Sequence, residues 1–343
     1  MKVVTFFNNK GGVGKTTTIV NLASFLSLER NKKILLVDLD PQSNATQAII
    51  PEGRWSQFYS LRSSSKKKTI YDFFKNIENG EATLNKIKIP VHKNENEFGV
   101  DLIPGHPYLS IIDDAMSKAW METISGDRGG IRRLNWLNEL KFQNECYDYI
   151  LVDVGPSLGA LNRSTLLNTD YFLTPMASDI FSLLGIENIG NWLKNWMELY
   201  RVSLQTFRIR SRDADEFFLK NRINTTPEKT TRYLGYSIQQ YSKRSFQSGD
   251  RPTAAYEKII QGFERKILES LYGFAKPGLK PEDLRLGDVP YVYSVIPLSQ
   301  TSSTPIFNLD YSTGIRGNQG SSVEKYKKYL SCIAEKFVEN IGE

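Results

Sequence analysis

The stretch FNNKGGVGKTTT, Phe7–Thr18, decides the fold. A general phosphate-binding loop reads G-x-x-x-x-G-K-[ST], with a lysine that reaches the β- and γ-phosphates and a hydroxyl that binds Mg²⁺. GKT at 14–16 supplies the second half of this pattern, whereas Asn9 stands where the first glycine would be. A second lysine, Lys10, precedes the expected one by five residues. The stretch therefore predicts a phosphate-binding loop that carries an extra cation.

The residues around the loop predict a strand before it and a helix after it. Lys2–Phe7 is a β-branched and aromatic run typical of a buried parallel strand, and Thr16–Leu28 has apolar residues at helical spacing. In that order the loop amides and the helix N-terminus both point at a bound anion. Further strands are predicted at KILLVDLD (33–40), FGVDLIPGH (98–106), YDYILVDVGPS (147–157), DYFLTPMA (170–177), RYLGYSIQQYS (232–242) and PYVYSVIP (290–297). Strands alternating with helices predict an α/β fold, a doubly wound and mostly parallel sheet flanked by helices.

The remaining segments bear on domain organisation. A surface loop is predicted at 63–68, and helices are predicted at 69–77 and 255–274. A last helix at 323–341 carries an apolar stripe of Tyr326, Leu330, Ile333, Phe337 and Ile341. The charged, weakly periodic segment 201–232 is predicted to be helical in parts. A chain of 343 residues fits either one elaborated domain or two, and we expect a single domain built on the phosphate-binding loop (P-loop) over 1–343.

Three aspartates follow apolar strands where nucleotide chemistry needs carboxylates. Asp153 closes the strand YDYILVD, at the position of a Walker-B carboxylate that holds Mg²⁺. Asp38 and Asp40 end a neighbouring strand, two residues apart, so both are expected to point at the ligand edge of the sheet. Taken alone, Asp153 could serve a turn and Asp38 could cap the turn before Pro41. Their combination with the glycine loop favours metal binding and activation of the attacking water.

Charge and cysteine content limit the partners. Fourteen Lys and Arg face seven Asp and Glu between Arg201 and Lys266, a local balance of +7 in a chain of net charge +6. That excess is either a solvated surface or a footprint for a phosphate backbone. The two cysteines lie far apart, which excludes a CxxC pair, and we expect a reduced, cytoplasmic setting. The sequence shows no leader pattern and no apolar stretch of 18 residues, so we expect no membrane span.

Four segments resemble the successive motifs of the ParA/MinD group of deviant-Walker P-loop ATPases: KGGVGKTT, DLDPQ, YDYILVDVGPSLG and TPMASDIFSLLGI. The DPQ and PSLG segments are similar to the ParA branch. The resemblance covers residues 1 to about 200 and resumes more weakly at YLGYSIQQYS and VIPLSQTSSTPIF. It implies ATP and Mg²⁺ as ligands and ATP hydrolysis as the reaction. In that family the extra lysine, here Lys10, reaches the partner's phosphates across an ATP-sandwich dimer, so the site is complete only in a homodimer.

The resemblance assigns roles position by position. Lys10, Lys15 and Asp40 are the catalytic candidates, and Asp40 corresponds to the aspartate of the switch I loop that positions the hydrolytic water. Metal ligation is expected from Thr16, Asp38 and Asp153. The nucleotide-binding candidates are Lys10, Gly11, Gly12, Val13, Gly14, Lys15, Thr16, Thr17, Gln240 and Pro297. Val154-Gly155 departs from the usual Thr-Pro or Ala-Pro after the Walker-B aspartate, which is part of the switch II loop.

The resemblance also implies a biological role. Relatives without a DNA-reading N-terminal domain bind DNA nonspecifically as ATP dimers, and a ParB-like partner activates hydrolysis. The candidate DNA contacts are Lys243, Arg244, Arg251, Lys258, Arg265 and Lys266. We therefore expect a nucleoid-associated ATPase that partitions a plasmid or chromosome, or positions another cargo. A MinD-like membrane role is one alternative, although the mixed charges of the last helix disfavour it. The other is an ATP-switched scaffold that binds a dedicated partner through 203–232. That segment is longer than the family usually has there, so the resemblance implies an insertion at about 201–232.

Overall fold

The computed structural model describes residues 1–59, 67–86, 88–241, 243–246, 249–252, 254–290, 292 and 294–342, with backbone alone at 240–258 and at 290. The strands are Lys2–Phe6 (β1), Ile34–Asp38 (β2), Asp101–Ile103 (β3), Tyr149–Asp153 (β4), Tyr171–Ala177 (β5), Arg232–Tyr241 (β6), Lys243–Phe246 (β7), Gly249–Pro252 (β8) and Arg285–Pro290 (β9). The first helices are Lys15–Leu28 (α1), Asn44–Ile49 (α2), Ser56–Tyr59 (α3), Ile70–Glu78 (α4), Leu109–Ile124 (α5), Arg128–Leu134 (α6), Trp136–Gln143 (α7) and Ala160–Asn168 (α8). The later helices are Ile180–Arg210 (α9), Ala214–Lys220 (α10), Pro227–Thr230 (α11), Ala254–Ser270 (α12), Ile296–Ser302 (α13) and Gln319–Ile341 (α14).

Seven of these strands form one parallel sheet in the order β3-β2-β4-β1-β5-β6-β9. β7 and β8 pair antiparallel as a separate hairpin. Since β1 lies between β4 and β5, the loop that follows β1 emerges at the middle of the carboxyl edge, where open α/β sheets bind ligands. The predicted fold class, a doubly wound parallel sheet flanked by helices, is confirmed.

The sheet separates two apolar cores, and β1 shows how the sequence builds both. Val3 and Phe7 point into the core beneath α5, α8 and α9, whereas Val4 and Phe6 point into the core beneath α1 and α14. This alternation follows from the two-residue period of a strand. Because both faces are covered, the strand is apolar almost throughout, as the sequence indicated.

One predicted strand is wrong. PYVYSVIP, 290–297, was expected to form the last strand, but β9 ends at Pro290 and α13 begins at Ile296. Val295 is fully buried and Val292 nearly so, which explains the apolar pattern that resembled a strand. Pro297 stands in the first turn of α13, a position that suits proline because the first helical N–H groups have no intrahelical acceptor.

The charged segment 201–232 is mainly helical. α9 continues to Arg210, and α10 and α11 follow it. Phe217 and Phe218 of α10 pack their rings against Phe207 of α9, which fixes the turn between the two helices. Whether this segment is an insertion stays a prediction. Most of the loop predicted at 63–68 lies outside the described residues.

The last helix packs on the domain. All five residues of its predicted stripe are buried, and α14 contacts α1 and β9. The rings of Phe337 and Tyr149 meet edge to face, with their centroids 5.4 Å apart. Within the described ranges, no helix combines the length and the apolar character that crossing a bilayer requires.

Candidate functional site

The loop between β1 and α1 depends on two glycines with left-handed backbone. Gly12 has φ +72° and Gly14, the N-cap of α1, has φ +79°. A side chain at Gly14 would also approach the Gln239 side chain to 3.2 Å. Glycine meets both demands because it has no Cβ. The loop therefore presents its amides and the N-terminus of α1 to one cleft.

That cleft has a volume of about 670 Å³. Its floor is the glycine loop and the start of α1, and Asp40 and Pro156 line it from the loops after β2 and β4. Helices α2 and α13 form the remaining walls, together with Trp55 and Phe98. The predicted loop residues that line it are Gly11, Gly12, Gly14, Lys15, Thr16 and Thr17, whereas Val13 is buried behind the loop.

Lys15 is the cation of this cleft. Lys15 is 7% exposed, and its ammonium donates a hydrogen bond of 3.3 Å to the carbonyl oxygen of Lys10. Burial lowers the pKa of Lys15, and the carboxylates of Asp153 and Asp40 oppose that shift. An ammonium with so few partners has donors to offer to phosphate oxygens.

Asp153 and Thr16 form the candidate metal position. Thr16 Oγ1 donates a hydrogen bond of 2.8 Å to Asp153 Oδ2, while Asp153 Oδ1 is buried without a hydrogen-bond partner among the described residues. Burial, reinforced by the charge of Asp38, raises the pKa of Asp153 well above its ordinary value. A buried oxygen without a partner beside a hydroxyl is the donor set that a hard cation prefers. These residues fit Mg²⁺.

Asp38 and Asp40 do not point the same way, although the sequence suggested that they would. Asp40 lines the cleft, and a side chain at Gly155 would come within 3.1 Å of its Oδ1. Asp38 is fully buried behind the cleft, where its Oδ2 accepts bonds from the Thr46 amide (2.8 Å) and hydroxyl (2.6 Å). Burial raises the pKa of Asp38 to about 7. Metal ligation by Asp38 stays a prediction, and the observed contacts hold the loop after β2 in place.

Lys10 lies outside the lining of its own cleft. Its ammonium forms an ion pair with Asp179 and stands 5.8 Å from the centre of the Phe181 ring. Asp179 is the N-cap of α9, and the next turn exposes 63% of Ile180, 68% of Phe181 and 57% of Leu184. Sequence reasoning missed this apolar cluster, and the only signal for it was a helix that starts with IFSLL directly after an N-cap aspartate.

Comparison with known proteins agrees with this geometry. Residues 1–206 match the family model described as an AAA domain, AAA_31. The chromosome partitioning protein ParA of Myxococcus xanthus is 30% identical over 190 residues, which is 55% of this chain and 56% of that relative. The chain belongs to the ParA family. It spans about three fifths of the length of the curated relatives it matches.

Solved structures extend the similarity beyond the matched half. The crystal structure of protein DIP2308 from Corynebacterium diphtheriae is 28% identical with a TM-score of 0.75, and the alignment covers 100% of this chain and 99% of that one. pNOB8 ParA bound to nonspecific DNA is 22% identical with a TM-score of 0.53, covering 99% of this chain and 98% of that one. At 22% identity the second likeness establishes the shared fold. The ParA-family fold therefore includes the strands and helices after residue 206.

Two nucleotide-binding candidates, Gln240 and Pro297, lie outside the glycine loop. Pro297 is exposed and does not line the cleft; its neighbours Ile296, Ser299 and Gln300 do. The side chain of Gln240 lies outside the described residues. Sequence reasoning missed Ile296 and Gln300 because it placed them in or beyond a strand instead of on a helix.

Two of the six candidate DNA contacts can be placed. The side chains of Lys243, Arg244, Arg251 and Lys258 lie outside the described residues. Arg265 on α12 keeps 76% of its side chain exposed, 4.0 Å from Glu269. Lys266 instead pairs with Glu187 at 2.9 Å and with Glu269 at 3.4 Å. The guanidinium of Arg265 is therefore exposed to solvent, whereas the ammonium of Lys266 is held in ion pairs.

Proposed function

We propose that this ParA-family chain is a Mg²⁺-dependent ATPase that dimerises around ATP, binds DNA nonspecifically in that state, and partitions plasmid or chromosomal DNA, or positions another cargo. The observation that carries the proposal is the hydrogen bond between Thr16 and Asp153, with the Asp153 carboxylate close enough to Lys15 to act on its charge. The Lys15 ammonium and the Thr16 hydroxyl belong to the cleft lining at the glycine loop, and the Asp153 carboxylate that accepts from Thr16 has a buried oxygen without a partner among the described residues. Residues 1–343 act as a single ATPase domain in this proposal.

The residues of the cleft would share the chemistry. Lys15 and the loop amides bind the phosphate chain and neutralise charge on it. Asp40, facing the switch II backbone at Gly155, accepts a hydrogen bond from the attacking water and orients it. Thr16 and Asp153 would hold Mg²⁺, which would neutralise the charge that develops on the phosphates.

Dimerisation is supported by the surface around Lys10. The lysine is directed away from its own cleft, and Ile180, Phe181 and Leu184 form an exposed apolar cluster beside it. Large exposed apolar clusters mark interaction sites. A second copy that covered this cluster would bring Lys10 toward the partner's nucleotide. ATP would then control assembly as well as chemistry.

DNA binding is supported by the basic excess of 201–266 and by Arg265, which offers its charge to solvent on α12. A nonspecific complex requires only several contacts with phosphates. The relative from Myxococcus xanthus is named a chromosome partitioning protein, and pNOB8 ParA has been solved with nonspecific DNA. A ParB-like activating partner and a nucleoid-associated location belong to the same proposal.

The test is binding to a nonspecific duplex with ATP, with ADP and without nucleotide, at two salt concentrations. The Asp40→Ala protein holds the ATP state, and Asp40→Ala combined with Lys15→Ala is the matched control that cannot bind ATP. Salt-sensitive binding with ATP alone supports the proposal. Equal binding in all three states, or binding that survives in the double variant, contradicts it.

A further inference from the structure

We propose that Asp179 holds Lys10 on its own chain and thereby opposes formation of the ATP-bound dimer. This inference rests on the proposed function, in which Lys10 acts on the nucleotide of a second copy. Lys10 and Asp179 form an ion pair in the single chain, with 33% and 35% of their side chains exposed. Each protomer must break this pair before its lysine can reach across.

The carboxylate cannot follow the lysine. Asp179 Oδ2 accepts from Lys10, while Oδ1 accepts a bond of 3.0 Å from the Ser182 amide and so caps α9. A carboxylate at a helix N-terminus is stabilised there by the amides and the helix dipole. Asp179 therefore stays with α9 whichever way Lys10 turns.

The backbone of Lys10 is held as well. Its amide donates a bond of 3.0 Å to Asn8 Oδ1, and its carbonyl accepts from Lys15. Asn8 is itself fixed, because its Nδ2 donates a bond of 2.9 Å to the Pro175 carbonyl. The change that frees the ammonium is therefore a rotation of the Lys10 side chain. The Lys10 ammonium therefore pairs either with Asp179 of its own chain or with phosphate oxygens across an interface.

The position of the pair couples its rupture to assembly. Ile180, Phe181 and Leu184 surround the start of α9, so a second copy that covers this apolar cluster also removes water from Asp179 and Lys10. An ion pair that loses its water gives up more solvation than it regains in attraction unless further bonds form. Transfer of Lys10 to phosphate supplies those bonds, but it leaves Asp179 without a cation, since no other ion pair of Asp179 occurs in the described part of the chain. The aspartate therefore works against the dimer both before and after the transfer.

The test is Asp179→Asn in the Asp40→Ala background, which removes hydrolysis. Asparagine caps a helix as well as aspartate does, so the variant should fold and melt like its parent. An exposed pair changes an equilibrium by up to about fivefold, and two pairs break per dimer, so sedimentation equilibrium with Mg-ATP should show the dimer dissociation constant falling by up to about twenty-fivefold. ATP affinity of the monomer should not change. Glu187→Gln is the matched control, because it removes from the same helix a carboxylate that pairs with Lys266.

A double variant isolates the pair. With Lys10→Ala already present, Asp179→Asn should lower the dimer dissociation constant less than it does when Lys10 is present, since no ion pair remains to be broken. If Asp179→Asn left dimerisation unaltered or weakened it while its parent dimerised, the inference would be overturned and the proposed function would stand. A parent that bound ATP and stayed monomeric would instead overturn the proposed dimer, and this inference with it.

Discussion

Replacing Thr46 with valine should destabilise the nucleotide-free chain by an amount that depends on pH. Thr46 is fully buried; its hydroxyl donates to Asp38 Oδ2 at 2.6 Å and accepts from the Gly105 amide at 2.8 Å. Valine fills nearly the same volume but makes neither bond. A hydrogen bond to a charged group contributes about 1.5–3 kcal/mol, and a buried N–H left without a partner costs about 1–3 kcal/mol.

The pH dependence follows from Asp38. Burial raises its pKa from 3.8 to about 7, so between these values the folded chain holds a proton that the unfolded chain has released. The contribution of Asp38 to the free energy of unfolding therefore falls as the pH rises from about 4 to about 7 and is constant above pH 7. The total loss is on the order of 4 kcal/mol. Valine at position 46 removes a donor to the ionised carboxylate, which raises the pKa of Asp38 further. The loss of stability then continues above pH 7.

Urea unfolding in EDTA, followed by circular dichroism and tryptophan fluorescence, measures both effects. Thr46→Val should cost about 3 kcal/mol at pH 6 and on the order of 1 kcal/mol more at pH 8. Thr165→Val is the matched control: Thr165 is equally buried, but its hydroxyl donates only to the Leu161 carbonyl of its own helix, at 2.7 Å. A cost for Thr46→Val that matched the control, or that shrank at pH 8, would refute this account of Asp38.

Four further substitutions test the cleft and α12. Lys15→Ala should weaken ATP binding at least about a hundredfold in a fluorescent-nucleotide titration, because the loop loses its buried cation. Asp40→Ala should bind ATP within about threefold of the parent and release phosphate at least about a hundredfold more slowly, and an unchanged rate would remove Asp40 from the mechanism. Arg265→Ala should weaken ATP-dependent DNA binding and lower the salt slope by about 1, whereas Lys266→Ala should do neither, since Lys266 already pairs with Glu187. Equal effects of Arg265→Ala and Lys266→Ala would contradict the inference that Arg265 is available to DNA and Lys266 is not.

The parts of the site that follow a strand directly could be predicted from the sequence. Residues 2–28 contain the strand, the glycines and the helix in one local pattern, and Asp153 closes its strand next to β1. Local pattern and sheet topology together determine these positions. The direction of a side chain beyond the end of a strand depends on distant contacts. Asp38 turns inward because Thr46 meets it, and Thr46 is itself held by Gly105, which comes 59 residues later.

The same limit explains the other misses. An apolar run that ends in a buried valine has no period that distinguishes a strand from the turn before a helix, so Ile296 and Gln300 were not recognised as cleft residues. The pairing of Lys10 with Asp179 joins residues 169 positions apart and leaves no local signal. Both cases concern side chains whose positions at the site are determined by tertiary contacts.

The cleft combines features that a stability argument alone would not favour. Lys15, Asp38, Asp40 and Asp153 are each at most 7% exposed, so the carboxylates of Asp40 and Asp153 share one buried ammonium, Asp38 is buried behind them, and Asp153 retains an oxygen without a partner in the described part of the chain. Each of these features costs free energy that apolar residues of similar size would not. A bound ligand explains the arrangement, because its phosphates and Mg²⁺ neutralise these buried charges. At a hundred times its dissociation constant, such a ligand stabilises the folded state by about 2.7 kcal/mol. The nucleotide-free fold therefore stores a destabilisation that binding relieves, and a variant such as Asp153→Asn should gain stability without nucleotide while losing most of its response to Mg-ATP.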